Sequence, residues 1–134
     1  MQIRPFLERL PTLYQDWGKA EMQPKESNFE TLLATVQQPT TANFLTLLRS
    51  AADCLDEGEV ICEIGCWQGA NLVGMLEGHP ERLAYGVDLF STQAEGAEPQ
   101  IEKLQENLRQ FDVGEQVCLA HQTVEEFFCG FKGD

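Results

Sequence analysis

The sequence is short of positive charge, with 9 Lys and Arg against 22 Asp and Glu and a formal net charge of −13. Phosphate neutralisation requires clustered Lys and Arg, so this balance argues against a nucleic-acid partner, and it equally disfavours an anionic membrane surface. No apolar run approaches the length of a membrane span, and Met1–Pro5 lacks the apolar stretch of a secretory signal. We therefore expect an acidic, cytoplasmic protein that binds neither nucleic acid nor membrane.

Metal-binding motifs are also missing. The five cysteines form no CxxC pair, and the two histidines, His79 and His121, complete no zinc motif. Cys62 and Cys118 fall within apolar runs typical of strands, where a free thiol behaves as a small hydrophobic side chain. The cysteine pattern predicts free thiols in a reducing compartment and no metal site.

The first part of the chain is rich in proline. Three prolines within residues 1–25 predict an irregular lead with at most short helical turns. Ser27 is a candidate N-cap for a helix over about 28–37, and Thr40 or Thr41 for a helix over about 42–55. We expect an N-terminal helical lead over residues 1–39 and a second unit over residues 40–134.

After Gly58 the hydrophobic period alternates between strand and helix. Apolar runs at 59–64, 83–88 and 116–120 predict strands, and amphipathic stretches at about 70–77 and 100–111 predict the helices between them. Gly96 and Pro99 interrupt the polar stretch before the second of these helices, and Thr123 is a candidate cap for a last short helix. This alternation predicts an α/β fold with a parallel sheet.

The stretch with the clearest chemistry follows the first of these strands. Glu63 ends the strand, Gly65 and Gly69 bracket a tight turn, and Asp88 ends the next strand nineteen positions after Gly69. Glycines let a backbone approach a ligand closely, and an acid at the end of the neighbouring strand can accept hydrogen bonds from ribose hydroxyls. The pattern predicts a nucleotide-type site at the carboxyl ends of the strands.

Two ligand classes use this layout. A nicotinamide or flavin dinucleotide favours Gly-x-Gly-x-x-Gly, but Trp67 and Ala70 stand where the second and third glycines belong. S-adenosyl-L-methionine has no pyrophosphate, and its amino acid end carries an ammonium that favours a nearby carboxylate. Glu63, two residues before Gly65, is placed to supply that carboxylate directly or through water.

These residues resemble the cofactor-binding half of the class I S-adenosylmethionine-dependent methyltransferases. Glu63-x-Gly65-x-x-x-Gly69 looks like motif I in the branch without the middle glycine, and Tyr85-Gly86-Val87-Asp88-Leu89-Phe90 looks like the second motif. Ala120-His121-Gln122-Thr123 follows the third strand, where that family contacts the adenine. The resemblance covers about residues 40–128 and implies a Rossmann-like parallel sheet with strand order 3-2-1, preceded by N-terminal helices.

The resemblance also implies the site residues and the chemistry. Cofactor contacts would come from motif I, the second motif and the turn after the third strand: Glu63, Gly65, Cys66, Trp67, Gly69, Asp88, Leu89, Gln122 and Thr123. Trp67 either packs over the ligand or against a neighbouring helix. The implied reaction is methyl transfer from S-adenosyl-L-methionine to a small-molecule or protein acceptor, and no catalytic residue is assigned.

Two other functions fit the same residues: a non-catalytic binding module that keeps the cofactor scaffold, and an NAD(P)-binding Rossmann domain. In the doubly wound order, three strands make one half of a sheet and leave Val60–Ile64 at an open edge. We therefore expect either a truncated chain, whose acceptor half is missing, or a homodimer that covers this edge.

Overall fold

The computed structural model describes residues 1–90 and 100–130. The predicted breakers Gly96 and Pro99 lie outside these residues. In chain order the elements are α1 (Ile3–Leu13), β1 (Tyr14–Gln15), β2 (Gln23–Pro24), α2 (Glu30–Thr35), α3 (Ala42–Asp53), β3 (Ile61–Ile64), α4 (Ala70–Leu76), β4 (Ala84–Asp88), α5 (Gln100–Gln110), a 3₁₀ turn (Gly114–Gln116), β5 (Val117–His121) and α6 (Val124–Gly130).

The main sheet has three parallel strands in the order β3-β4-β5. In its register, Glu63 of β3 lies beside Gly86 of β4, and Asp88 of β4 lies beside His121 of β5. The predicted α/β fold with a parallel sheet is therefore confirmed, and it is compatible with a Rossmann-like arrangement. Within the described residues β3 pairs with β4 alone, and what covers its other edge stays a prediction.

The two faces of the sheet are buried to different degrees. Leu72 of α4 lies against Gly86 on one face, and this face continues into a core in which Leu45, Leu76 and Leu104 are fully buried. On the opposite face Cys62 and Ile64 are exposed. Helix α6 covers part of that face through Phe127, whose ring centroid lies 5.7 Å from that of Tyr85.

The prediction of an irregular lead over residues 1–25 is wrong, because 11 of these residues form α1. Pro5 falls in the first turn, where backbone N–H groups have no partner within the helix, and Pro11 lies near the other end. Leu10 of α1 is buried, and Arg9 Nη2 of α1 lies 2.5 Å from Asp53 Oδ2 of α3. Tertiary contacts thus outweigh the cost of two prolines.

One of the predicted helix N-caps is wrong, and two are confirmed. Helix α2 begins at Glu30 after Phe29, so the proposal of Ser27 as its N-cap is wrong. Thr41 caps α3, because its side-chain oxygen accepts a hydrogen bond from Phe44 N at 3.2 Å. Thr123 caps α6 through a reciprocal pair, in which its hydroxyl oxygen accepts from Glu126 N and its backbone N–H donates to Glu126 Oε2.

Candidate functional site

The carboxyl ends of β3 and β4 bring Glu63, Asp88 and the glycine loop (residues 65–69) to one edge of the sheet. Gly65 N donates to Val87 O at 2.8 Å, which extends the pairing of the two strands into the start of the loop. Asp88 Oδ2 accepts a hydrogen bond from Trp67 N at 3.2 Å, and Asp88 Oδ1 accepts one from Phe90 N at 3.0 Å. The carboxylate of Asp88 therefore fixes the loop to the end of β4.

The glycine loop has an unusual backbone. Gly65, Trp67 and Gly69 all have positive φ angles, of 81°, 48° and 85°. Glycine adopts this region without a steric cost, whereas a bulky residue such as Trp67 does so rarely, and such strain clusters at ligand sites. The Trp67 side chain is 45% exposed. Trp67 thus lies on the outer surface of the loop rather than in the core.

Glu63 lies beneath this loop with one carboxylate oxygen satisfied and the other not. Oε1 accepts a hydrogen bond from Asn71 Nδ2 at 2.8 Å, whereas Oε2 is buried and has no hydrogen-bond partner within the described part of the chain. Burial raises the pKa of Glu63 from 4.5 to about 7; the hydrogen bond from Asn71 opposes this rise, and the charge of Asp88 adds to it. Glu63 is therefore poised to change its charge near neutral pH.

A polar strap (residues 37–40), which joins α2 to α3, lies against the same loop. The indole Nε1 of Trp67 donates to Gln37 O at 3.1 Å, and Ala70 N donates to Gln38 Oε1 at 2.9 Å. Thr40 Oγ1 donates to Asn71 Oδ1 at 3.1 Å. The strap thus forms one wall of the site, although sequence reasoning gave these residues no functional role.

The strap was missed because its contacts with the glycine loop and with Asn71 span 30 or more positions in the chain, whereas Asn71 itself lies only eight positions from Glu63. The one local signal was the pair Thr40-Thr41, where a single threonine is enough to cap α3. Thr41 takes that role, which leaves the Thr40 hydroxyl free to contact another element.

The remaining predicted site residues differ in what they can offer a ligand. The side chain of Cys66 is fully buried, with Sγ 3.4 Å from Glu63 O, so only its backbone remains for a ligand. Leu89 is 52% exposed beside Asp88, and Gln122 is half-buried. The hydroxyl of Thr123 is engaged in the α6 cap. The contact of these four residues with a ligand stays a prediction.

His121 lies next to Asp88 in the register of β4 and β5. Its ring is exposed and contacts the ring of Phe90 edge to face, with 5.7 Å between the ring centroids. This places His121 on the same edge as the glycine loop, but the contact is one of packing and assigns it no chemical role.

A large open groove of about 1120 Å³ lies at the opposite end of the sheet, lined by residues that include Leu83, Arg109 and Val117. Ligands of parallel α/β sheets bind beyond the carboxyl ends of the strands, whereas this groove lies at the amino ends of β4 and β5. We therefore place the candidate site at the glycine loop and not in this groove. In the described residues, no group of three or more His, Cys, Asp and Glu side chains could hold a metal ion.

The chain matches no protein-family model, and a search of curated proteins returns no similar sequence. Within residues 1–90 and 100–130, no helix combines the length and apolar character that crossing a bilayer requires.

Proposed function

We propose that this chain is a class I methyltransferase, or the cofactor-binding half of one, which binds S-adenosyl-L-methionine and transfers its methyl group to a small-molecule or protein acceptor. One observation carries the proposal: Glu63 and Asp88 both lie beside the same glycine loop, at the carboxyl edge of a parallel sheet. One carboxylate has a buried oxygen without a hydrogen-bond donor among the described residues, and the other lies where an adjacent strand ends.

The unsatisfied oxygen of Glu63 fits an amino acid end better than it fits a phosphate. A buried carboxylate oxygen without a donor is costly, and an ammonium group supplies both the donor and the opposite charge. An anionic group would instead be repelled by Glu63 and Asp88 together. The electrostatics of this edge therefore favour a ligand with a cationic end, as S-adenosyl-L-methionine has.

One contact and one residue type disfavour the alternative of a dinucleotide. A pyrophosphate needs backbone N–H groups at the start of the helix after the glycine loop. Here Ala70 N already donates to Gln38 Oε1. Trp67, in place of the second glycine, adds a side chain where a dinucleotide site has none.

The cofactor would supply the methyl group in activated form, bonded to a sulfonium. The residues of this chain would bind and orient it: Glu63 at the ammonium, Asp88 at the ribose hydroxyls, and the backbone of the glycine loop alongside. Two alternatives remain in the test, a binding module without catalysis and an NAD(P)-binding domain.

Calorimetric titration with S-adenosylhomocysteine, S-adenosyl-L-methionine and NADH tests the proposal. We expect saturable binding of the two adenosyl ligands and none of NADH. Binding of NADH alone would favour the dinucleotide domain, and no binding of either adenosyl ligand at millimolar concentration would refute the proposal. Formation of S-adenosylhomocysteine with a panel of small-molecule and peptide acceptors would then separate an enzyme from a binding module.

A further inference from the structure

We propose that Thr40 and Asn71 form a relay that positions the Glu63 carboxylate and holds it ready for the ammonium of the ligand. The relay rests on the proposed function for its purpose, but it can be tested without any ligand. It assigns a role to the strap, which enters the site from outside the motifs that resemble the methyltransferases.

The direction of the hydrogen bonds carries the inference. Thr40 Oγ1 donates to Asn71 Oδ1 at 3.1 Å, and Asn71 Nδ2 donates to Glu63 Oε1 at 2.8 Å. A side-chain amide has its acceptor on one side and its donors on the other. Once Thr40 engages the oxygen, the Asn71 NH₂ group must face Glu63.

This arrangement gives one oxygen of Glu63 a hydrogen-bond donor and leaves the other without one in the part of the chain that the structure describes. Oε1 is held by Asn71, and Oε2 is buried with no partner among the described residues. A donor on Oε1 favours the ionised carboxylate, so the relay counteracts the burial that favours the protonated form. An ammonium ligand needs the ionised form, and the relay therefore sets the pH range in which the site can bind it.

Within residues 1–90 and 100–130, the one hydrogen bond to the Glu63 carboxylate comes from Asn71 of the relay. From β4, Asp88 raises the pKa of Glu63. The Cys66 thiol packs against the backbone of Glu63, and burial raises the thiol's own pKa, so it stays neutral. The strap and α4 contribute the neutral side chains of Gln38, Thr40 and Asn71. No cation faces Glu63 from these described elements.

The test is an NMR titration of the Glu63 side-chain carboxyl carbon in the ligand-free protein. We expect Asn71→Ala to raise the pKa of Glu63 by about one pH unit, because it removes a hydrogen bond to a charged group. Thr40→Val, which keeps the shape but removes the hydroxyl, should give a smaller rise, and Thr40→Ser should restore the parent value. Thr12→Val is the matched control, since its hydroxyl donates to Arg9 O within α1.

A merely structural role would lower the stability of these variants without moving the titration of Glu63. An unchanged titration in either Asn71→Ala or Thr40→Val would therefore overturn the relay. If Asn71→Ala does not fold, the comparison of Thr40→Val with Thr40→Ser decides alone: a difference between them supports the relay, and equal titrations overturn it.

A second measurement links the relay to binding. With the Glu63 pKa raised by about one unit, the ionised fraction at pH 7 falls about fivefold, so the affinity of Asn71→Ala for S-adenosylhomocysteine should fall by the same factor. The loss should shrink toward pH 8.5. If the parent protein does not bind this ligand but the titration of Glu63 still moves in the variants, the proposed function fails while the relay stands.

Discussion

Replacing Glu63 with glutamine should stabilise the folded protein, but it should also remove the carboxylate that we propose binds the ligand. The raised pKa of Glu63, about 7 against 4.5 when unperturbed, means that the folded chain holds this proton more tightly than the unfolded chain. Raising the pH from below 4.5 to above 7 therefore costs stability, because the folded state must carry a buried charge. Glu63→Gln removes that charge and retains a carbonyl oxygen for the hydrogen bond from Asn71.

The magnitude follows from the linkage between pKa and stability. A difference of about 2.5 units corresponds to about 3 kcal/mol at pH 8, where the penalty is nearly complete, and to less than about 1 kcal/mol at pH 5. Glu63→Gln should thus be about 3 kcal/mol more stable than the parent at pH 8 and less than about 1 kcal/mol more stable at pH 5. The same substitution should abolish binding of an ammonium ligand.

Urea unfolding at pH 5 and at pH 8 measures both values. Glu57→Gln is the matched control, since Glu57 is an exposed glutamate in the turn before β3 and loses the same charge. Its stability relative to the parent should be the same at the two pH values. A Glu63→Gln variant that is no more stable than the parent at pH 8 would refute the assignment of Glu63 as a buried, destabilising carboxylate.

Three further predictions concern the site and its support. The affinity for S-adenosylhomocysteine should rise about tenfold between pH 6 and pH 8 as Glu63 ionises, and calorimetry that shows equal affinity at both values would contradict this. Gly86→Ala should lower the free energy of unfolding by about 1–3 kcal/mol. The added Cβ would lie 2.9 Å from Leu119 Cδ2 and 3.0 Å from Cys66 Sγ. A urea midpoint equal to that of the parent would argue against this packing. Thr41→Ala should cost about 1 kcal/mol through the lost cap of α3, measured in the same assay, and Thr41→Ser should recover most of it.

The parallel sheet was predictable from sequence because its signals are local. β-branched runs bounded by glycine, and helices with regular apolar spacing between them, indicate the β-α-β alternation without any knowledge of tertiary contacts. Glu63, Gly65, Gly69 and Asp88 could be proposed as site residues for the same reason. Each stands at a strand end or in the turn that follows, and the register of the sheet brings them together.

The elements that sequence reasoning missed depend on contacts between distant residues. Pro5 and Pro11 argue against a helix, yet α1 forms because Leu10 is buried and Arg9 meets Asp53 of α3. The strap contacts the glycine loop through Gln38 and Thr40, polar residues that in the sequence indicate only a loop before a helix cap. Their role depends on the path that the chain takes between α2 and α3, which no local pattern records.

The most direct test of the proposed function is calorimetric titration of the parent protein with S-adenosylhomocysteine at pH 8, beside Asp88→Asn and Glu57→Gln. We predict saturable binding at one site per chain, weakened at least about tenfold in Asp88→Asn, where a neutral amide replaces the carboxylate that we propose binds the ribose, and unchanged in Glu57→Gln. The absence of binding to the folded parent at millimolar ligand, or equal affinity in the parent and Asp88→Asn, would contradict the assignment of the carboxyl edge as an S-adenosyl-L-methionine site.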